Sequence, residues 1–92
     1  MLEKPRIGHY ELDEESLLGS GSYSSVYLAE SMHTRDDKAA VKKVKKTNNN
    51  LIPYKMAKRE AKILGKLHSK YFCELLGVHE DNNHFYMVQR YQ

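Results

Sequence analysis

Apolar and polar positions alternate in several short stretches along this chain and switch once to a helical period. The stretch Tyr10 to Leu18 ends in an apolar pair and runs into Gly19-Ser20-Gly21-Ser22, after which Ser24-Ser25-Val26-Tyr27-Leu28-Ala29 reads as a strand, so a hairpin with a glycine-rich turn is predicted. Met32 to Asp37 is polar and turn-like, and Lys38 to Val44 then alternates long charged side chains with small or branched apolar ones, the pattern of a third strand. Thr47 to Asn50 reads as a loop, and Pro53 suits the first turn of a helix, where its missing N–H does no harm. From Tyr54 to Leu67 the positions Met56, Ala57, Ala61, Ile63, Leu64 and Leu67 recur near a 3.6 period among basic residues, which predicts an amphipathic helix. Phe72 to Val78 and Phe85 to Val88 predict two further strands, separated by the turn signal Glu80-Asp81-Asn82-Asn83. Residues 1–9 are expected to be a frayed lead-in to a domain over residues 10–92.

Composition narrows this picture. Ninety-two residues fit one compact domain or part of one. The single Cys73 leaves no disulfide framework within the chain and suits a reducing compartment, so cytoplasm or nucleus is expected. No apolar run approaches the roughly 20 residues of a membrane-spanning helix, and Met1 to Arg6 lacks the hydrophobic stretch of a signal peptide, so no membrane partner is expected. The formal charge of +3 conceals an asymmetry: residues 38–70 hold eleven basic groups and one acidic group, between two segments of net negative charge. Such a segment fits phosphate-binding cations and a solvated helix face, and it would also fit an anionic partner.

The arrangement of residues discriminates between these. In Gly19-x-Gly21-x-x-Ser24-x-Val26, two glycines at a hairpin turn let the backbone approach an anion and aim N–H groups at it. By itself the motif is an ordinary turn. A dinucleotide-binding reading fails because a strand follows the glycines instead of a helix, and a Walker-type loop fails because no Gly-Lys-Ser/Thr is present. Lys42 lies sixteen residues beyond Val26, on the strand face shared by Lys38, Ala40 and Val44. Alone it would be one more exposed cation beside Lys43, Lys45 and Lys46. Glu60, the one acidic group between 38 and 70, stands on the helix that follows and supplies a natural partner.

Together these features resemble the small lobe of eukaryotic-type protein kinases, over residues 10–92. His68 to Val78 is similar to that family's passage from helix to fourth strand, and Phe85 to Tyr91 to its fifth strand entering the hinge. The resemblance implies an α+β fold, a five-stranded antiparallel sheet with one main helix. It implies an ATP site in which Leu18, Gly19, Ser20, Gly21, Ser22, Tyr23, Ser24 and Val26 cover the phosphates and the purine. Tyr23, at the loop tip, is expected to fold over the phosphates. By the same resemblance Lys42 contacts the α- and β-phosphates, Glu60 orients Lys42, and Ala40 lies over the adenine with Val26. Gln89 would be the gatekeeper, Arg90 and Gln92 would offer backbone groups to the purine edge, and Leu75 would pack beneath Leu64. Ser24 replaces the family's third loop glycine, and Arg90 stands where an acidic residue is usual.

No His-Arg-Asp catalytic loop and no Asp-Phe-Gly segment occurs in the 92 residues, so the base and the magnesium ligands of the family are not among them. Joined to a large lobe, the chain is expected to serve transfer of a phosphoryl group from MgATP to protein serine or threonine, with tyrosine the less common type. Alone it is expected to be inactive, and to self-associate through apolar surface that a large lobe would cover. The contrasting reading is a non-catalytic kinase-like module that binds a regulatory protein. Nucleic-acid binding by Lys43, Lys45, Lys46, Lys58, Lys62 and Lys66 is set aside, because no aromatic and basic interleaving accompanies them. His79, His84 and Cys73 match no metal-ligand spacing.

Overall fold

The structure, a computed structural model, describes residues 4–66 and 74–91. Its elements run β1 (Arg6–Ile7), β2 (Tyr10–Ser20), β3 (Ser24–Ser31), β4 (Lys38–Lys45), α1 (Ile52–Lys66), β5 (Leu75–Glu80) and β6 (His84–Arg90). The strands form one antiparallel sheet in the order β1-β2-β3-β4-β6-β5, with α1 against one face. The α+β class therefore stands, with a correction from five strands to six among the described residues.

The sixth strand comes from the segment read as lead-in. Arg6 pairs with Glu11 and Ile7 with Tyr10, leaving Gly8 and His9 as a two-residue turn. Gly8 has φ 63°, the left-handed value that the first central residue of a type II′ hairpin turn requires. An added Cβ there would sit 3.1 Å from Nε2 of His79 on β5. The two ends of the sheet thus curl toward each other, and Ile7 is buried in the core they enclose.

Strand alternation divides the interior in two. On one face Ile7, Tyr10, Leu12, Ala29, Ala39, Val41 and Val88 pack together. On the other, Val44, Phe85 and Met87 meet Ala57 and Ala61 of α1, with Tyr54, Leu64 and Leu75 at the margin. The expected stacking of Leu64 with Leu75 falls in this second cluster.

Local chemistry fixes the turns. Asp13 accepts from the Glu15 N–H at 3.0 Å and from the Ser16 hydroxyl at 2.7 Å, at the place where β2 slips register against β3. Asp81 accepts from the N–H groups of Asn83 and His84 at 2.8 and 2.7 Å, which closes the β5–β6 hairpin and holds its carboxyl below the usual carboxylate range. Glu80, read as part of that turn, ends β5 instead. The start of the predicted strand at Phe72 and Cys73 lies outside the described residues.

The helix begins at Ile52, two residues before the predicted span, where the Asn50 side chain accepts the Ile52 N–H at 3.1 Å. Pro53 occupies the first turn as expected. Tyr54 anchors that end: its ring meets Phe85 edge-on at 5.9 Å, its hydroxyl donates to Glu80 at 2.7 Å, and Lys46 both pairs with Glu80 and lies 4.9 Å above the ring. Among the described residues no helix is long and apolar enough to cross a membrane.

Candidate functional site

The site begins with the register of β4. Antiparallel pairing sets Lys42 opposite Val26 on β3 and opposite Met87 on β6, while Ala40 stands opposite Leu28 and Gln89. Side chains at directly paired positions share a face, so Val26, Ala40, Lys42 and Gln89 belong to the face that carries α1. Residues from three strands are brought to one surface by register alone.

Across that surface Lys42 Nζ donates to Glu60 Oε2 at 3.2 Å. The side chains of Lys42 and Glu60 remain 30% and 45% exposed, so the pair is wet, and its worth to folding is small. Its use is positional. Glu60 follows Ala57 by three residues and precedes Ala61 by one, and both alanines are buried, which fixes the direction of the helix face that offers the carboxylate.

The hairpin between β2 and β3 closes the site from above. Gly19 pairs with Val26 and Ser20 with Ser25, so these two residues belong to the strand, and the turn itself is Gly21 to Ser24, closed by Gly21 N–H to the Ser24 carbonyl at 2.7 Å. Gly19 does not have a positive φ, and a Cβ added there would meet nothing within 4 Å. Neither a positive φ nor crowding requires glycine at this position, which follows a register shift of β2 against β3 between Leu17 and Gly19.

Beneath the turn a cavity of about 320 Å³ is lined by Ser22, Tyr23, Ser24, Lys42 and Glu60, and also by Val44, Pro53, Met56 and Ala57. The last four were not singled out from sequence. Val44 was legible as a neighbour of Lys42 on the same strand face, whereas the approach of Pro53, Met56 and Ala57 depends on how α1 docks. Tyr23 lies in this wall, 40% exposed, at the loop tip where it was expected. Leu18 is exposed at the end of β2.

At the opposite end Gln89 is half-buried between Ala40 and Leu75, which places it at the back of the face. The Arg90 side chain turns away to Glu74, Nε to Oε2 at 2.8 Å, and that carboxylate holds the guanidinium above its ordinary pKa. The Arg90 N–H goes to the Glu74 carbonyl at 2.9 Å. Gln92, the remaining expected purine contact, lies outside the described residues. Among the described residues no three His, Asp or Glu side chains gather as metal ligands.

The arrangement can hold a polyphosphate: backbone N–H groups of a glycine hairpin above, a lysine fixed by a carboxylate below, and Val26 and Ala40 as an apolar ceiling beside it. A family model, the protein kinase domain, matches residues 12–92. This chain belongs to the protein kinase domain family, and residues 12–92 form its kinase-like ATP-binding lobe.

Proposed function

We propose that this chain binds ATP on the α1 face of its sheet, with the triphosphate between the glycine hairpin and Lys42 and the purine against Val26 and Ala40. The observation that carries the reading is the Lys42–Glu60 pair beside a Gly19 that neither a positive φ nor crowding requires. Glu60 holds the ammonium toward the cavity, and Lys42 supplies its charge to phosphate oxygens. Gln89 bounds the pocket at the back, and backbone groups at Arg90 and Gln92 meet the purine edge. When a large lobe supplies the base and magnesium ligands, the reaction is phosphoryl transfer to protein serine or threonine. Residues 1–92 alone bind without transferring.

The test is a titration of the chain with a fluorescent ATP analogue in magnesium. Saturable binding that Lys42→Met weakens by about a hundredfold supports the reading, since a charge-assisted contact and its partner's orientation are lost together. Binding that is indifferent to Lys42→Met contradicts it.

A second reading has its own support. Ile52 and Met56 are 64% and 66% exposed on α1, which suits a regulatory protein seated on the helix. Pull-down that fails with Ile52→Asp and persists with Lys42→Met identifies that role.

A further inference from the structure

On the face of the sheet opposite the Lys42 site, the glycine hairpin borders a second cavity, of about 220 Å³. Its wall is built by register. Ser25 pairs with Lys43, and Lys45 pairs with His84, so β3, β4 and β6 present Ser25, Lys43, Lys45 and His84 side by side, with Tyr27 and Ser24 completing the wall.

The charge of this cavity is unbalanced. Lys43 and Lys45 have no carboxylate within 4.0 Å among the described residues, whereas Lys42 and Lys46 on either side are paired with Glu60 and Glu80. Burial first, and then the charge of Lys43, hold His84 below its ordinary pKa. Asp81 lies 4.0 Å from His84 Nδ1, and its oxygens already accept from two backbone N–H groups and the Tyr86 hydroxyl. Two free ammonium groups, five hydroxyl groups and an imidazole around one small cavity form a donor set for a tetrahedral oxyanion.

We propose that this outer cavity binds a phosphate monoester or free phosphate, clamped between Lys43 and Lys45. Ser22, Tyr23 and Ser24 line this cavity and also the one beside Lys42, so the hairpin is a wall common to both. An anion held on the outer side biases the position of that wall, and nucleotide affinity changes with it by reciprocal coupling.

The test follows backbone amide resonances of the isotope-labelled chain during titration with inorganic phosphate, at ionic strength held constant with chloride, and in parallel with O-phosphoserine. Saturable shifts centred on Ser25, Lys43, Lys45 and His84 are expected. Lys43→Gln and Lys45→Gln should each weaken the binding about tenfold, and Lys42→Met should leave these shifts in place. Tighter binding of O-phosphoserine than of phosphate identifies a phosphorylated side chain as the source, and equal binding identifies the free ion. Shifts centred on Gly21, Lys42 and Glu60 and lost in Lys42→Met would overturn the proposal, as would the absence of saturable shifts. The dispersion of the same spectra reports whether each variant is folded. If Lys43→Gln is not, the exposed Lys45 decides through Lys45→Gln. Because the readout is phosphate on the outer face, it fails or succeeds separately from ATP binding.

Discussion

The two faces of β4 differ more than their composition suggests. Ala39 and Val41 are fully buried in a core that five other buried strand positions complete, whereas Ala40 and Lys42, one residue along in each case, stand on a partly open face with a wet ion pair. A strand with lysines at 38, 42, 43 and 45 is thus divided by alternation into a stabilising side and a side open to the cavity beneath the glycine hairpin. The core face continues past Val41 as Lys43 and Lys45, so even the stabilising side ends in cations. The lesson is that a run of basic residues has no single meaning. Register assigns each lysine its own neighbour.

The division is open to attack from either side. The largest effect is expected on the core face: Leu12→Ala, at a side chain 1% exposed, should cost about 2–5 kcal/mol in denaturant unfolding and leave little folded chain. Gly19→Val should do the reverse. It should leave unfolding within about 0.5 kcal/mol of the parent, because nothing lies within 4 Å of the new Cβ, yet weaken ATP binding at least about tenfold by filling the ligand's approach. A large loss of stability in Gly19→Val would show that the glycine serves the hairpin and not a ligand. Glu60→Ala should weaken ATP binding by about fivefold, by releasing Lys42, with an unchanged melting temperature.

The smallest effect concerns pH. His84 is held below its ordinary pKa by burial and by Lys43, so the folded chain favours the neutral ring. The unfolded chain takes the proton first, near pH 6.5 as for a model histidine. Stability is therefore complete above about pH 6.5 and declines as pH falls through that value toward the folded pKa. His84→Gln should flatten this part of the stability profile.

Much of this division was legible in the sequence. The alternation of Lys38 to Val44 placed Lys42 with Ala40 and Val44 on one face, and the pairing observed for β4 does the same. Glu60 was conspicuous as a lone carboxylate, and it is the group that Lys42 meets. Strand β1 was not legible, because two residues are too few to show a period. Only Gly8 signalled it, through a turn whose partner, Tyr10, was already assigned elsewhere. The outer cavity was not legible either. It needs Ser25, Lys43 and His84 from three strands at once, and their adjacency depends on β6 lying next to β4, an order that sequence patterns do not state.

The most direct test of the account compares neighbouring lysines on opposite faces. Thermal melts of the parent chain, Lys42→Met and Lys43→Met would be recorded with and without saturating MgATP. The parent and Lys43→Met should show a saturable rise in melting temperature that Lys42→Met lacks. A rise that survives in Lys42→Met and disappears in Lys43→Met would place the nucleotide on the other face and contradict the account.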